Sequence, residues 1–239
     1  MSQITFQGDL RLGARALISG LDVTIPTQGW TALLGASGLG KTSLARLIAG
    51  LPTPARLDGF IPPDPMTIGL MSQDGQLLPW ATALDNVTIG ARLAGKPPDP
   101  ARARELLSRV GLAGRENTRP AALSAGQRQR VALARVLYDD RAIIVLDEPF
   151  SALDVLTRQR MQDLAAKLLK GRTVILITHD PAEAVRLAER AYVLHERGAT
   201  PVALPPEIPP RDATNPETLT AQAALLQRLA SASEASIPA

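Results

Sequence analysis

Residues 29–50 read GWTALLGASGLGKTSLARLIAG. Three textures follow one another in that stretch. Trp30 to Leu34 is a short, almost wholly apolar run, as expected of a strand covered on both faces. Gly35, Gly38 and Gly40 come next, in front of Lys41 and Thr42. Thr42 to Ala49 then carries Leu44, Leu47 and Ile48 at helical spacing, with Gly50 as its stop. Glycine supplies positive φ and lets another group come close to the backbone. A strand, a glycine-rich turn and a helix in this order predict a turn against which a ligand sits.

In that context Gly35-x-x-Gly38-x-Gly40-Lys41-Thr42 reads as a phosphate-binding P-loop. The backbone N–H groups of Gly35, Ala36, Ser37, Gly38 and Gly40 can point into one concavity and hold anionic oxygens. The helix that starts near Lys41 adds free N–H groups and its positive end. Lys41 can reach the β and γ phosphates of a nucleotide, and the Thr42 hydroxyl can ligate Mg²⁺. Such a site needs a second acid, and Ile143-Ile144-Val145-Leu146-Asp147-Glu148 offers one. The four apolar residues predict a buried strand, which delivers Asp147 to its carboxyl end, where ligands bind in open parallel sheets. Asp147 would hold Mg²⁺ through water, and Glu148 would polarise water for attack on the γ phosphate.

Composition bounds the rest. The chain has 239 residues, a formal net charge of +3 and 45% hydrophobic residues. That suits one large α/β domain or a domain with a subdomain. Aromatics make up only 3%, so aliphatic side chains must fill the core. There is no Cys, which excludes disulfides and thiolate metal sites. The segment Met1 to Asp9 lacks a charged region followed by an apolar one, so a secretory signal is not expected. No apolar run approaches the roughly 18 residues of a membrane span. Nine Arg and four acids fall within residues 101–141, a basic stretch read mainly as a solvated face. No nucleic-acid partner is expected.

Along the chain, strands are predicted at Leu21–Ile25, Trp30–Leu34, Met66–Met71, Ala142–Leu146 and Thr173–Ile177. Residues 52–65, rich in Pro and Asp, read as loop. Residues 76–139 show helical patterns and no strand, with Asp99-Pro100 starting one helix. The order implies a parallel α/β core with a helical insertion.

A metabolic kinase would fit the motifs so far. The deciding stretch is Leu123-Ser124-Ala125-Gly126-Gln127-Arg128-Gln129-Arg130-Val131. It opens a helix with Val131, Ala134 and Leu137 on one face, and so places a second anion-binding helix N-terminus in the chain. One nucleotide in one protomer has no need of two. Two protomers facing head to tail do, each P-loop meeting the other's serine helix.

With those motifs the sequence resembles the ATPase subunit of an ABC transporter, over about residues 1–200. The usual signature Leu-Ser-Gly-Gly-Gln has Ala125 in place of its first glycine. The resemblance implies a RecA-like P-loop core with a parallel sheet, an N-terminal antiparallel β part and a helical subdomain. Its expected division is core over 1–75, helical signature subdomain over 76–139, core again over 140–200, and a Pro-rich linker with a C-terminal helix over 201–239. It also implies ATP and Mg²⁺ as ligands, with Ser124, Gly126 and Gln127 contacting nucleotide. Gln73 falls at the Q-loop glutamine, which touches Mg²⁺ and water and senses the membrane partner. Ser151-Ala152-Leu153-Asp154 matches the D-loop that crosses the dimer interface. His179 matches the switch histidine that contacts the γ phosphate and orients Glu148. His195 fits no motif.

Two departures stand out. The family stacks adenine on an aromatic side chain, and spacing back from the P-loop brings that position to Leu12. Stacking on an aromatic contributes about 1–3 kcal/mol per base in nucleic-acid systems, so base affinity is expected to be weak. Gln76-Leu77-Leu78-Pro79-Trp80 and the tail Pro205–Asp212 resemble importers of the nitrate, sulfonate and taurine class, with thiamine-precursor importers similar. The expected partners are a second copy, transmembrane permease subunits and, indirectly, a substrate-binding protein, at the cytoplasmic face of the cell membrane. The alternatives are a soluble ABC-type ATPase of the repair or translation kind and a P-loop kinase. The first would leave the absent coiled-coil insertion unexplained, and the second Ser124 to Gln127.

Overall fold

Strands that are apolar on both faces need cover on both, and the elements are ordered so as to supply it. The computed structural model describes residues 3–73 and 75–234. The outer ends of the expected division, 1–2 and 235–239, lie outside the described residues.

The chain opens on an antiparallel hairpin of β1 (Gln3–Leu12) and β2 (Arg15–Pro26). Next, β3 (Gly29–Gly35) leads through the glycine turn into α1 (Lys41–Ile48). A short β4 (Ala55–Leu57) returns to pair antiparallel with β1, so the first sheet is ordered β2-β1-β4. The expectation of plain loop over 52–65 is corrected there. Ala55 and Leu57 are buried on one face of β4, but a three-residue alternation between prolines leaves almost no periodic signal.

After β5 (Ile68–Met71) come three helices: α2 (Ala83–Leu93), α3 (Pro100–Arg109) and α4 (Ala125–Asp139). Among the described residues no strand interrupts them. The chain then alternates: β6 (Ile143–Asp147), α5 (Val155–Leu168), β7 (Thr173–Ile177), α6 (Pro181–Leu187) and β8 (Arg190–His195). It ends on β9 (Gly198–Val202) and α7 (Pro216–Glu234). Sequence reasoning left β8 and β9 unassigned. The charges and glycine at Glu196-Arg197-Gly198 are their hairpin turn.

The second sheet is ordered β5-β6-β7-β3-β8-β9. Its first five strands are parallel and β9 is antiparallel to β8. Every residue of β6 and β7 is buried. Alternate residues of β3 serve opposite faces, as the period of 2 demands. Leu33 joins Val145, Ile175 and Ile177 in a core under α1 and the hairpin. Ala32 and Leu34 join Ile144, Leu146, Val174 and Leu176 in a core under α4, α5 and α6. In register, Leu33 and Asp147 both stand opposite Ile177. The carboxyl ends of β3, β6 and β7 therefore arrive together at one edge of the sheet.

Two polar anchors set the outlying segments. Asn86, fully buried in α2, accepts from Leu78 N–H at 2.7 Å and donates to the carbonyls of Leu78, Ala81 and Thr82. It thereby fixes the turn that leaves Trp80 70% exposed. Arg211, 4% exposed, donates to the carbonyls of Val185 and Ala188 at the end of α6 and ties down the tail before α7.

Candidate nucleotide site

The glycine turn at the end of β3 has the backbone that the sequence predicts. Gly38 and Gly40 both have positive φ, 86° and 82°. Gly40 is also the N-cap of α1, with no side chain bound to the first turn's N–H groups. A Cβ at Gly40 would come within 2.7 Å of Leu17 Cδ1, so sterics and φ both select glycine. At Gly35 a Cβ would lie 2.9 Å from the Leu194 carbonyl oxygen. Lys41 arches over the turn, and its Nζ donates to the carbonyls of Gly35 at 2.7 Å and Ala36 at 2.9 Å. Burial lowers its pKa, and the charges of Glu148 and Asp147 oppose that. An ammonium pressed toward neutrality next to two carboxylates is relieved by an incoming phosphate.

Asp147 ends β6 at 1% exposed, and Glu148 follows at 7%. Glu148 takes left-handed backbone, φ 50°, which turns its side chain away from the strand line. Its N–H donates to the Ile177 carbonyl at 2.9 Å. His179 stands just past β7, and its Nδ1 lies 2.7 Å from the Glu148 carboxylate oxygens. The histidine side chain is 64% exposed, the glutamate 9%. This pair puts a buried carboxylate and an accessible imidazole at the edge that holds the P-loop.

The signature helix begins as expected. Ser124 is the N-cap of α4 in a capping box: its Oγ accepts from Gln127 N–H at 3.2 Å, and Gln127 Oε1 accepts from Ser124 N–H at 2.9 Å. A Cβ at Gly126 would meet the Ala152 carbonyl at 3.1 Å, so the helix start packs on the turn after Glu148. Ser124 and Gln127 make no hydrogen bond to the P-loop among the described residues. Asp154 caps α5 by accepting from Thr157 N–H at 3.0 Å, and that bond holds its carboxyl below the usual range. Val155 and Leu156 beside it are exposed. Gln73 is exposed just after β5. Arg128 donates to the Leu123 carbonyl at 2.6 Å. His195 sits 3.0 Å from Thr200 across the β8–β9 hairpin.

Leu12 is the last residue of β1, opposite Arg15, and 41% exposed. Leu10, two residues back on the same face, and Leu17 both flank Gly40. The hairpin end thus reaches out beside the P-loop.

Two residues escaped sequence reasoning. Gln129 lies on the buried stripe of α4 with Ala132, Leu133 and Val136. A polar residue at an apolar position of the helical period was its signal. Glu183, in the first turn of α6, accepts from the buried Thr178 hydroxyl at 2.8 Å. Desolvation raises its pKa to about 7, against the Thr178 hydrogen bond.

The arrangement defines a P-loop ATPase. A family signature described as ABC transporter matches residues 18–151. An uncharacterised ABC transporter ATP-binding protein of Haemophilus influenzae is 40% identical over 92% of this chain and 95% of its own length. An aliphatic sulfonates import ATP-binding protein of Pseudomonas aeruginosa is 42% identical over 92% and 81%. Among solved structures, an ATP-binding cassette in a dimeric post-hydrolysis state with ADP and phosphate superposes with a TM-score of 0.70. It is 28% identical and the match covers 89% of this chain and all of that one. The cbiO1 protein of Clostridium perfringens, part of an ABC transporter complex, gives 0.67 at 26% identity, covering 84% and 88%. The chain belongs to the ABC transporter family, as an ATP-binding subunit that hydrolyses ATP.

The Glu183 environment predicts a pH dependence. Its folded-state pKa of about 7 lies above the ordinary 4.5. The folded chain therefore binds more protons between those values. The contribution is fully present below 4.5 and is lost as pH rises to about 7. Glu183→Gln should flatten the fall in melting temperature over that window while keeping an acceptor for Thr178. An unchanged slope would show that Glu183 ionises normally.

Proposed function

We propose that two copies of the chain close head to tail on two ATP molecules, and that closure drives separate transmembrane subunits of an importer. The observation that carries the reading is the 2.7 Å pairing of buried Glu148 with His179 at the edge that holds the P-loop. In this reading the N–H groups of residues 35–40 and Lys41 bind the phosphates. Glu148 accepts a proton from the attacking water, and His179 orients Glu148 and donates to the γ phosphate. Ser124, Gly126 and Gln127 of one copy cover the γ phosphate held by the other, and Asp154 lies at their interface.

Among the described residues, no cluster of three or more His, Asp or Glu side chains can hold a metal by itself. The Thr42 hydroxyl, the Asp147 carboxylate and the Gln73 amide oxygen are hard donors. That set fits Mg²⁺, which keeps waters and shares its ligands with phosphates. Bound there, Mg²⁺ would offset charge on the phosphates.

Among the described residues no helix is long and apolar enough to cross a membrane. The proposed place is the cytoplasmic face of the cell membrane, held by permease subunits that contact Gln73 and the exposed Trp80. A substrate-binding protein would act on the far side. The solute class is a small aliphatic sulfonate, which the name of the Pseudomonas aeruginosa relative supports. The division into core over 1–75 and 140–200, a helical subdomain over 76–139 and a tail over 201–239 belongs to the same proposal.

Proteoliposomes carrying the chain with its membrane subunits should take up a labelled aliphatic sulfonate only when ATP is supplied. With Glu148→Gln they should bind ATP and show no uptake. Uptake of nitrate or a thiamine precursor in its place overturns the solute class. Normal turnover by Glu148→Gln overturns the base.

Leu12 is proposed to meet adenine by van der Waals contact alone. Leu12→Tyr should then tighten ATP and ADP equally, by about 1 kcal/mol, in calorimetry. Unchanged affinity for both would place the base elsewhere.

A further inference from the structure

Glu148 is held in left-handed backbone, an arrangement that persists in a non-glycine residue only where its surroundings enforce it. On its amino side the constraint is the Ile177 carbonyl. On its carbonyl side the constraint comes from α4. Gln129 is 5% exposed. Its Nε2 donates to the Glu148 carbonyl at 3.1 Å and to Ser151 Oγ at 3.0 Å, and its Oε1 accepts from Ala152 N–H at 3.1 Å. Ser151 Oγ closes the ring by donating to the same Glu148 carbonyl at 3.1 Å. One side chain thus uses both ends of its amide to fix the turn from 148 to 152.

Gln129 lies on α4, a little over one turn from its N-cap Ser124. Where the helix start stands, the Glu148 turn must follow, because the amide between them is buried and bonded at both ends. We infer that Gln129 is a positioning residue for ATP hydrolysis: it transmits the placement of the signature helix to the Glu148 carboxylate. This rests on the reading of Glu148 as the base.

The amide is specific to the task. A leucine at this position would match the apolar stripe of α4 and leave the Glu148 carbonyl and Ala152 N–H one partner short. A glutamate would keep the acceptor for Ala152 but turn a carboxylate oxygen on the Glu148 carbonyl.

The test uses full-length chains: wild type, Gln129→Leu, Gln129→Glu, Glu148→Gln and the two Gln129 changes combined with Glu148→Gln. Steady-state hydrolysis is read as kcat and KM for ATP, and ADP binding by calorimetry. A misplaced reacting group costs on the order of 100-fold. Both Gln129 variants should therefore lose roughly 10- to 100-fold in kcat, with KM and ADP affinity within about twofold of wild type. In the Glu148→Gln background they should cost nothing more, since there is no base left to position. Losses that multiply in the double variants overturn the inference, as does a normal kcat in both single ones. A loss of ADP affinity and melting temperature that parallels kcat also overturns it, because the residue would then only hold the fold. A Glu148→Gln chain with normal turnover overturns the reading beneath it.

Discussion

Everything at the nucleotide edge depends on the parallel pairing of β3, β6 and β7. Because β7 pairs with both of its neighbours in register, three loops leave the sheet at one level. One loop is a nest of N–H groups, one carries two carboxylates, and one carries an imidazole. None of these groups is near another in sequence. Glu148 and His179 are brought to 2.7 Å by the parallel pairing of β6 with β7. The cost of that geometry is concentrated in a few residues. Gly38, Gly40 and Glu148 take positive φ, and the glutamate needs hydrogen bonds on both sides to stay there.

The two cores explain why such a sheet is stable enough to hold an unfavourable edge. Leu33, Val145, Ile175 and Ile177 face α1 and the hairpin, while their neighbours in sequence face α4, α5 and α6. Each strand residue is thereby taken out of water by a separate layer. The layer formed by α4 has two duties. Its buried stripe covers β6 and β5, and at Gln129 the same stripe turns polar to reach the Glu148 turn. The site is built into the packing of the helix and not added beside it.

Much of this was legible in residues 29–50, 123–131 and 143–148, because glycine spacing, strand hydrophobicity and helix periodicity are local signals. The bounds of β7 could be read directly from Thr173–Ile177. What was hidden had a weak local signal or none. β4 is three residues between prolines, and it exists because β1 offers it an edge. β8 and β9 are short and bounded by charge: exposed Arg190 opens β8, and exposed Glu196 lies in the turn between them. Gln129 is one polar residue on an apolar stripe, and its role appears only once β6 delivers Glu148 beside it. Glu183 looks like any acid in a first helical turn until Thr178 and the burial around it are seen.

The central claim is that a complete site needs two chains, with Lys41 from one and Ser124 from the other. The most direct measurement mixes two inactive variants, Lys41→Ala and Ser124→Arg, and reads ATP hydrolysis by the mixture. Each variant alone has two defective sites. In a mixed head-to-tail dimer both defects fall in the same site, and the other site is intact. The account predicts that mixing restores turnover, rising with the fraction of mixed dimer. A mixture as inactive as its components, in which mixed dimers are shown to form with ATP, would contradict it.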